Sequence, residues 1–355
     1  MEIKQQLILF FFLAVALSAC KKEPVMSVRD QIPTAVALAI PAGFPEVKAN
    51  ADNPLTVHGI ALGRLLFYDT RLSGNNKVSC ASCHHQDLAF SDGIALTDLG
   101  VSGDQLERHS PALFNLAWAD GFFWDGGAKN LESQAFGPIT NVHELQQDLN
   151  QLEWELLQVP DYVERFNAVF KDGVKATNVA KALAQFQLTL VSANSKYDQY
   201  QGGTAILSSI ELSGMNIVNA RCKSCHRGEL FTDNAYHNNG LDKSFDDRFE
   251  GIHQGRYRIT HDLPDMGKFK TPSLRNVMLT APYMHDGRFS DINEVLDHYT
   301  SGMKISPSTD PLLYQNHGQV GIPLTTVERQ SIISFLATLT DHEFLTNKKY
   351  SNPYE

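Results

Sequence analysis

Two segments combine the residue types and the spacing of a redox centre: Cys80-Ala81-Ser82-Cys83-His84 and Cys222-Lys223-Ser224-Cys225-His226. Cysteines at i and i+3 stand about one helical turn apart. Each can therefore form a thioether to one vinyl group of a single haem, and the histidine that follows points beneath the macrocycle toward iron. The chain has 5 cysteines and 13 histidines in 355 residues. Chance would supply on the order of 0.003 such pentads, yet two are present. The same cysteines admit a four-thiolate zinc site, a thioredoxin-like dithiol or short disulfides. None of these uses the adjacent histidines, and free thiolates suit an oxidising compartment poorly. The residues point to two covalently bound haem c groups, one on Cys80, Cys83 and His84, the other on Cys222, Cys225 and His226.

The fifth cysteine, Cys20, follows a different kind of segment. Residues 1–19 carry Lys4 and then an apolar run from Leu7 to Leu17, too short to span a membrane. They end Leu17-Ser18-Ala19 before Cys20, which reads as a lipoprotein signal peptide with Cys20 as the lipidated N-terminus. Residues 20–50, with Pro24, Pro33, Pro41 and Pro45, read as a linker. The protein is expected to be exported to the periplasm and tethered to a membrane by that lipid. With 40 acidic against 30 basic residues the formal net charge is -10, which argues against nucleic acid as a partner.

The elements that must position the pentads are mostly helical. Apolar residues recur at three- and four-residue steps over Val142–Gln158, Val179–Ser192, Ile292–Tyr299 and Thr326–Leu339. Thr325 and Glu328 read as a capping box for the last of these. Long Gly-, Asp- and Pro-rich loops cover 90–111, 228–275 and 300–325. The stretches CASCHHQDLAFSD (80–92) and CKSCHRGELFTD (222–233) echo each other, each ending in Phe, Ser or Thr, and Asp. The expected fold is mainly α: a first domain over 51–200 and a second over 201–345, each a cytochrome c-like helical unit around one haem.

Over residues 54–340 the chain resembles the bacterial di-haem cytochrome c peroxidase family, including its MauG-type branch. The resemblance rests on Leu62 to Asp69 (LGRLLFYD), Phe123-Trp124-Asp125-Gly126, Leu131 to Pro138 (LESQAFGP), Thr271 to Val277 (TPSLRNV) and Ala281 to Gly287 (APYMHDG). It implies that Gln134 and Glu144 form the distal pocket of the peroxide-reacting haem on His84. Physically, such a carboxylate can move a proton from the near to the far peroxide oxygen. It also implies that Trp124 lies between the haems. Two departures from the family's ordinary pattern stand out. No histidine falls within 86–108, so the iron on His84 is expected to stay open without reductive activation, with His85 too close to His84 and His109 the nearest alternative cap. Counting fourteen residues from His285, where the ordinary peroxidases carry a methionine ligand, gives Tyr299, as in the MauG-type branch. Met303 is the runner-up ligand, and Met284 and His298 are weaker ones. A phenolate favours higher oxidation states of iron than a thioether does.

The resemblance further implies a calcium ion between the haems, on the carbonyls of Thr280 and Pro282, with His109 replacing the usual asparagine and water or Asp286 able to compensate. It implies a homodimer as well. The expected activity is reduction of hydrogen peroxide to water with electrons from a small redox protein, a cytochrome c or a cupredoxin. The alternatives are a MauG-like oxidase acting on a protein or peptide partner and a non-enzymatic di-haem electron carrier.

Overall fold

A computed structural model describes residues 34–47, 50–246, 251–315 and 318–355. The expected signal segment, Cys20 and the linker up to residue 33 lie outside the described residues.

Capping side chains set the helix starts. Thr56 accepts from the Gly59 amide ahead of α1 (Val57–Tyr68), and Asn130 and Ser133 cap α2 (Leu131–Thr140) reciprocally. Asp148 accepts from the Asn150 and Gln151 amides and opens α3 (Leu149–Leu157). The helix expected over Val142–Gln158 is thus shorter, because Gln146 has a positive φ of 48° and Asp148 restarts the chain. α4 (Pro160–Val169) begins on a proline, whose missing N–H costs nothing in a first turn. α5 (Ala176–Leu188) crosses α1.

Reciprocal boxes on Ser195 and Ser208 open α6 (Lys196–Gln201) and α7 (Ser209–Arg221). Further helices among the described residues are α8 (Tyr257–Thr260), α9 (Ile292–Asp297), α10 (Thr326–Ala337) and α11 (His342–Thr346). α10 carries the expected Thr325–Glu328 box, and α9 runs on into a π-helical turn over His298–Gly302. Strands β1 (Tyr236–His237) and β2 (Phe269–Lys270) pair antiparallel, Tyr236 opposite Lys270 and His237 opposite Phe269.

The architecture is mainly α, built as two helical units with separate cores. In the first, α1 and α5 approach until a β-carbon on Gly63 would stand 1.9 Å from the Ala182 carbonyl oxygen. In the second, a β-carbon on Gly214 of α7 would stand 1.9 Å from the Ser331 carbonyl oxygen of α10. Phe186 and Phe335 lie beside these two glycines and are buried, each contributing about 1.5–3 kcal/mol by leaving water.

The cores do not divide at residue 200. Tyr197 already packs in the second core, and Phe344 and Leu345, inside the range 201–345, pack in the first. The described part of the expected linker is also structured: Phe44 is buried, 5.0 Å from the Trp118 ring and under the Arg275 guanidinium. Asn276 stitches the halves together, donating to the Ser192 hydroxyl and accepting from the Asp341 amide.

Candidate di-haem centre

The first pentad begins in a short 3₁₀ turn, Cys80–Ser82. His84 Nδ1 lies 2.7 Å from the Phe90 carbonyl oxygen, which leaves Nε2 as the nitrogen to bind iron. Phe90 makes this bond from a left-handed conformation, φ 60°, rarely adopted by a residue with a side chain. Burial lowers the His84 pKa, and the bond to Phe90 raises it in part. Burial pushes the Cys80 and Cys83 thiols up to about 12; the charge of Glu144 acts on both in the same direction. Glu144 therefore stands close to this pentad. Its own pKa is raised, chiefly by burial, against the opposing bond from the Asn141 amide to Oε1 at 2.8 Å.

The second pentad follows α7 directly. His226 Nδ1 lies 3.2 Å from the Phe231 carbonyl oxygen, and Phe231 is again left-handed, φ 49°. Burial pushes Cys222 up to about 11. The acid facing this pair is Tyr299, held up at about 12 by burial and by the nearby Cys225 and Cys222, against a long bond from the Asn239 amide at 3.5 Å.

A cavity of about 360 Å³, mostly apolar, is lined by Cys222, Cys225, His226, Tyr299, Trp124 and Gln134 among others. It also takes in Thr280, Pro282, His109, Met284 and His285. Trp124 Nε1 donates to the His109 carbonyl at 2.8 Å, and its own carbonyl accepts from the Lys270 amide. Met303 and His298 do not line this space, and His298 Nε2 is engaged with the Asn239 carbonyl at 3.0 Å. Gln134 and Glu144 are not joined: among the described residues no hydrogen bond links them, and Glu144 lies outside this lining.

The donors offered to calcium are few. His109 Nδ1 already meets the Ile94 carbonyl at 2.8 Å, and Nε2 lies 3.4 Å from the Ser91 hydroxyl. Arg288 holds the Asp286 carboxylate. That leaves the Thr280 and Pro282 carbonyls, too small a set for a cation that takes 6–8 oxygens unless water completes the shell.

Two further histidines stand out in the structure, His237, which no sequence pattern marked, and His285 of the Ala281 to Gly287 motif. His237 is clamped between Asp310 at 2.5 Å and Asp233 at 2.9 Å. Its pKa is pushed up to about 10 by its bond to the Cys225 sulfur and by these carboxylates, against burial. His285 stacks on Phe269 at 3.6 Å with neither ring nitrogen bonded, and burial lowers its pKa to about 3.

The residues fit haem. No disulfide joins the pentad cysteines, and among the described residues the four do not gather into one metal site, so neither short disulfides nor a four-thiolate zinc site matches the arrangement. Two helical units, each presenting an aligned histidine and two free thiols with an acid close by, define a di-haem c-type cytochrome. Residues 57–206 match the family model described as di-haem cytochrome c peroxidase. The methylamine utilization protein MauG of Methylorubrum extorquens is 35% identical over 84% of this chain and 82% of its own length. The cytochrome-c peroxidase IdrP1 of Pseudomonas sp. strain SCT is 34% identical over 88% and 89%. A crystal structure described as a MauG-like protein associated with microbial copper homeostasis superposes with a TM-score of 0.82 at 32% identity, over 90% of this chain and 100% of that one. The chain belongs to the di-haem cytochrome c peroxidase family. It is an oxidoreductase with two cytochrome c-like domains and two haem c groups, and the reading as a non-enzymatic carrier is set aside.

Proposed function

We propose that hydrogen peroxide is reduced to water at the haem carried by His84, with electrons from a small cytochrome c or cupredoxin entering at the haem carried by His226. When bound, the haem iron supplies the redox chemistry that splits the oxygen–oxygen bond. Glu144 takes the proton from the near peroxide oxygen and returns it to the far one, so that water leaves. The observation that carries this role is a carboxyl group beside the Cys80–Cys83 pair with its pKa raised by burial. A carboxyl of ordinary acidity would return a proton less readily near neutral pH. The family resemblance alone gives Gln134 the orienting of peroxide or water, since in the structure it lines the cavity beside Cys222 and Cys225 and does not meet Glu144. In this reading Trp124, fixed by its bond to the His109 carbonyl and lining the cavity beside Cys222 and Cys225, links the two sites. Because both ring nitrogens of His109 are engaged, this histidine is not free to cap the His84 iron. Purified holo-protein should consume peroxide with a reduced cytochrome or cupredoxin; no consumption with any donor rejects the reading.

A MauG-like oxidation of a protein or peptide partner is the second reading, favoured by Tyr299 in the cavity beside Cys222 and Cys225. As iron ligand its phenolate would stabilise the oxidised second haem. Tyr299→Met should raise that haem's potential. If peroxide turnover with cytochrome is then unchanged, the phenol has no part in the donor reaction.

Residues 1–19 direct export to the periplasm and Cys20 carries lipid, which mass spectrometry of the N-terminal peptide tests. A calcium ion on the Thr280 and Pro282 carbonyls would take most of its ligands from water, and chelation should leave haem content intact.

A further inference from the structure

After α11 the chain returns to the first helical unit and brings two tyrosines, Tyr350 and Tyr354, against α1. Phe344 packs edge-on to Phe90 at 5.7 Å, and Tyr350 packs on Phe344 at 5.3 Å. The Gln86 amide donates to the carbonyls of Phe344 and Asn347 at 3.0 and 2.9 Å, so the tail is held against the loop that follows the first pentad. The Tyr68 hydroxyl donates to the Tyr350 carbonyl at 2.6 Å, and Arg64 Nε donates to the Ser351 carbonyl at 2.7 Å.

A phenol cluster lies further along the tail. The Tyr162 hydroxyl donates to Asp69 Oδ2 at 2.5 Å and lies 3.1 Å from the Tyr354 hydroxyl. Tyr162 is buried at 4% exposure, whereas Tyr354 is 55% exposed. The cluster is connected inward. The Phe67 ring is 6.4 Å from the His84 ring and 5.3 Å from the Tyr68 ring, and Asp69 follows Tyr68 in the chain. Neither the proton path through Glu144 nor the link through Trp124 uses any of these groups.

A phenol gives up an electron at accessible potential only if its proton leaves at the same time, and Tyr162 has a carboxylate at hydrogen-bond distance to receive it. We propose that Tyr162 and Tyr354, with Asp69 as proton acceptor, form a second redox-active site, an outlet through which oxidising equivalents from the haem on His84 reach the surface. In the first step one electron passes from Tyr162, across Tyr68 and Phe67, to the peroxide-oxidised haem, while the phenolic proton moves to Asp69. In the second step the Tyr162 phenoxyl takes a hydrogen atom from Tyr354 across their hydroxyl contact. An external one-electron reductant then returns the electron to Tyr354, and the proton on Asp69 completes the phenol. Phe67 is too hard to oxidise to hold the charge and serves as packed medium. The exposed end of the route is Tyr354, remote in sequence from the cavity that holds Tyr299.

The inference rests on peroxide reacting at the haem of His84. The test is to treat full-length holo-protein with one equivalent of peroxide and no donor, freeze it for electron paramagnetic resonance, and digest a parallel sample for peptide mapping. A tyrosyl signal is expected; and because one peroxide supplies two oxidising equivalents, molecules in which Tyr162 and Tyr354 each lose one electron and one proton should couple, giving a covalently joined pair of peptides. Tyr354→Phe should abolish the joined pair and leave the radical on Tyr162. The double variant Tyr162→Phe, Tyr354→Phe should lose the tyrosyl signal with unchanged haem absorption, and Asp69→Asn should lower its yield. A tyrosyl signal of full size in the double variant, or oxidation confined to Trp124, overturns the proposal while peroxide consumption still stands. If wild-type protein fails to react with peroxide at all, the proposed function falls and this site falls with it.

Discussion

The two halves solve the same packing problem and then part over chemistry. In each, a glycine lets two helices touch backbone to backbone, Gly63 against Ala182 and Gly214 against Ser331. In each, a left-handed phenylalanine aims its carbonyl at Nδ1 of the pentad histidine. In each, the aspartate that closes the echo faces a histidine, Asp92 with His109 at 3.4 Å and Asp233 with His237 at 2.9 Å. The difference is the acid beside the thiols, a carboxyl from Glu144 in the first half and a phenol from Tyr299 in the second. A carboxyl exchanges protons near neutral pH and a phenol hardly does. On the proposed reading, a scaffold used twice is divided into a site for proton-coupled chemistry and a site that holds charge.

The largest stability effect should come from the fully buried guanidinium of the second half. Arg275 is fully buried and makes a bidentate bond to Asp198 at 2.8 and 2.9 Å. Asp198→Asn leaves that guanidinium without its counter-charge and should cost about 3–5 kcal/mol, read as a fall in denaturant midpoint. Arg71→Ala in the first half removes a partner of Asp69 that is itself 45% exposed, and should cost no more than about 1 kcal/mol. The pair also sets a sign. Burial raises the Asp198 pKa, but the bond and charge of Arg275 bring it below the ordinary value. Its contribution is complete above the unfolded-state pKa and is lost as pH falls through the folded-state value. Acid denaturation of the asparagine variant should be correspondingly flatter.

The glycine crossings should fail in parallel. Gly63→Ala and Gly214→Ala each force a methyl into a carbonyl oxygen, costing about 1–3 kcal/mol or more. A large cost at one and none at the other would break the equivalence of the halves. The smallest contrast lies at the helix starts. Thr325→Ala removes a real cap from α10 and should cost about 1 kcal/mol. Lys175→Ala, at the start of α5, removes no cap bond and should cost far less.

Much of this was legible because the signals are local. The pentads, the echo, the Thr325 box and the periodic runs that became α5 and α10 are each set by residues within a few positions of one another. The shortening of the 142–158 helix was not legible, because apolar spacing carries no sign of the backbone turn at Gln146. Nor was the return of Phe344 to the first core, a contact across more than 250 residues in which Phe344 O accepts from Gln86. The clamp on His237 is illegible for the same reason: Asp310, one of its two carboxylates, lies 73 residues away. Of the site residues, Tyr299 and Trp124 share one cavity, whereas the expected meeting of Gln134 with Glu144 is not seen in the described contacts.

The central claim is that Glu144 carries the proton in peroxide cleavage, and the pH profile of kcat/KM for peroxide, wild-type against Glu144→Gln, tests it most directly. Because burial raises the Glu144 pKa, activity that needs the carboxylate should fall as pH drops through a value above the ordinary glutamate range. In the glutamine variant this acid limb should vanish and the rate should drop by about 10²–10⁴-fold with haem content unchanged. An unaltered limb and rate in Glu144→Gln would contradict the account.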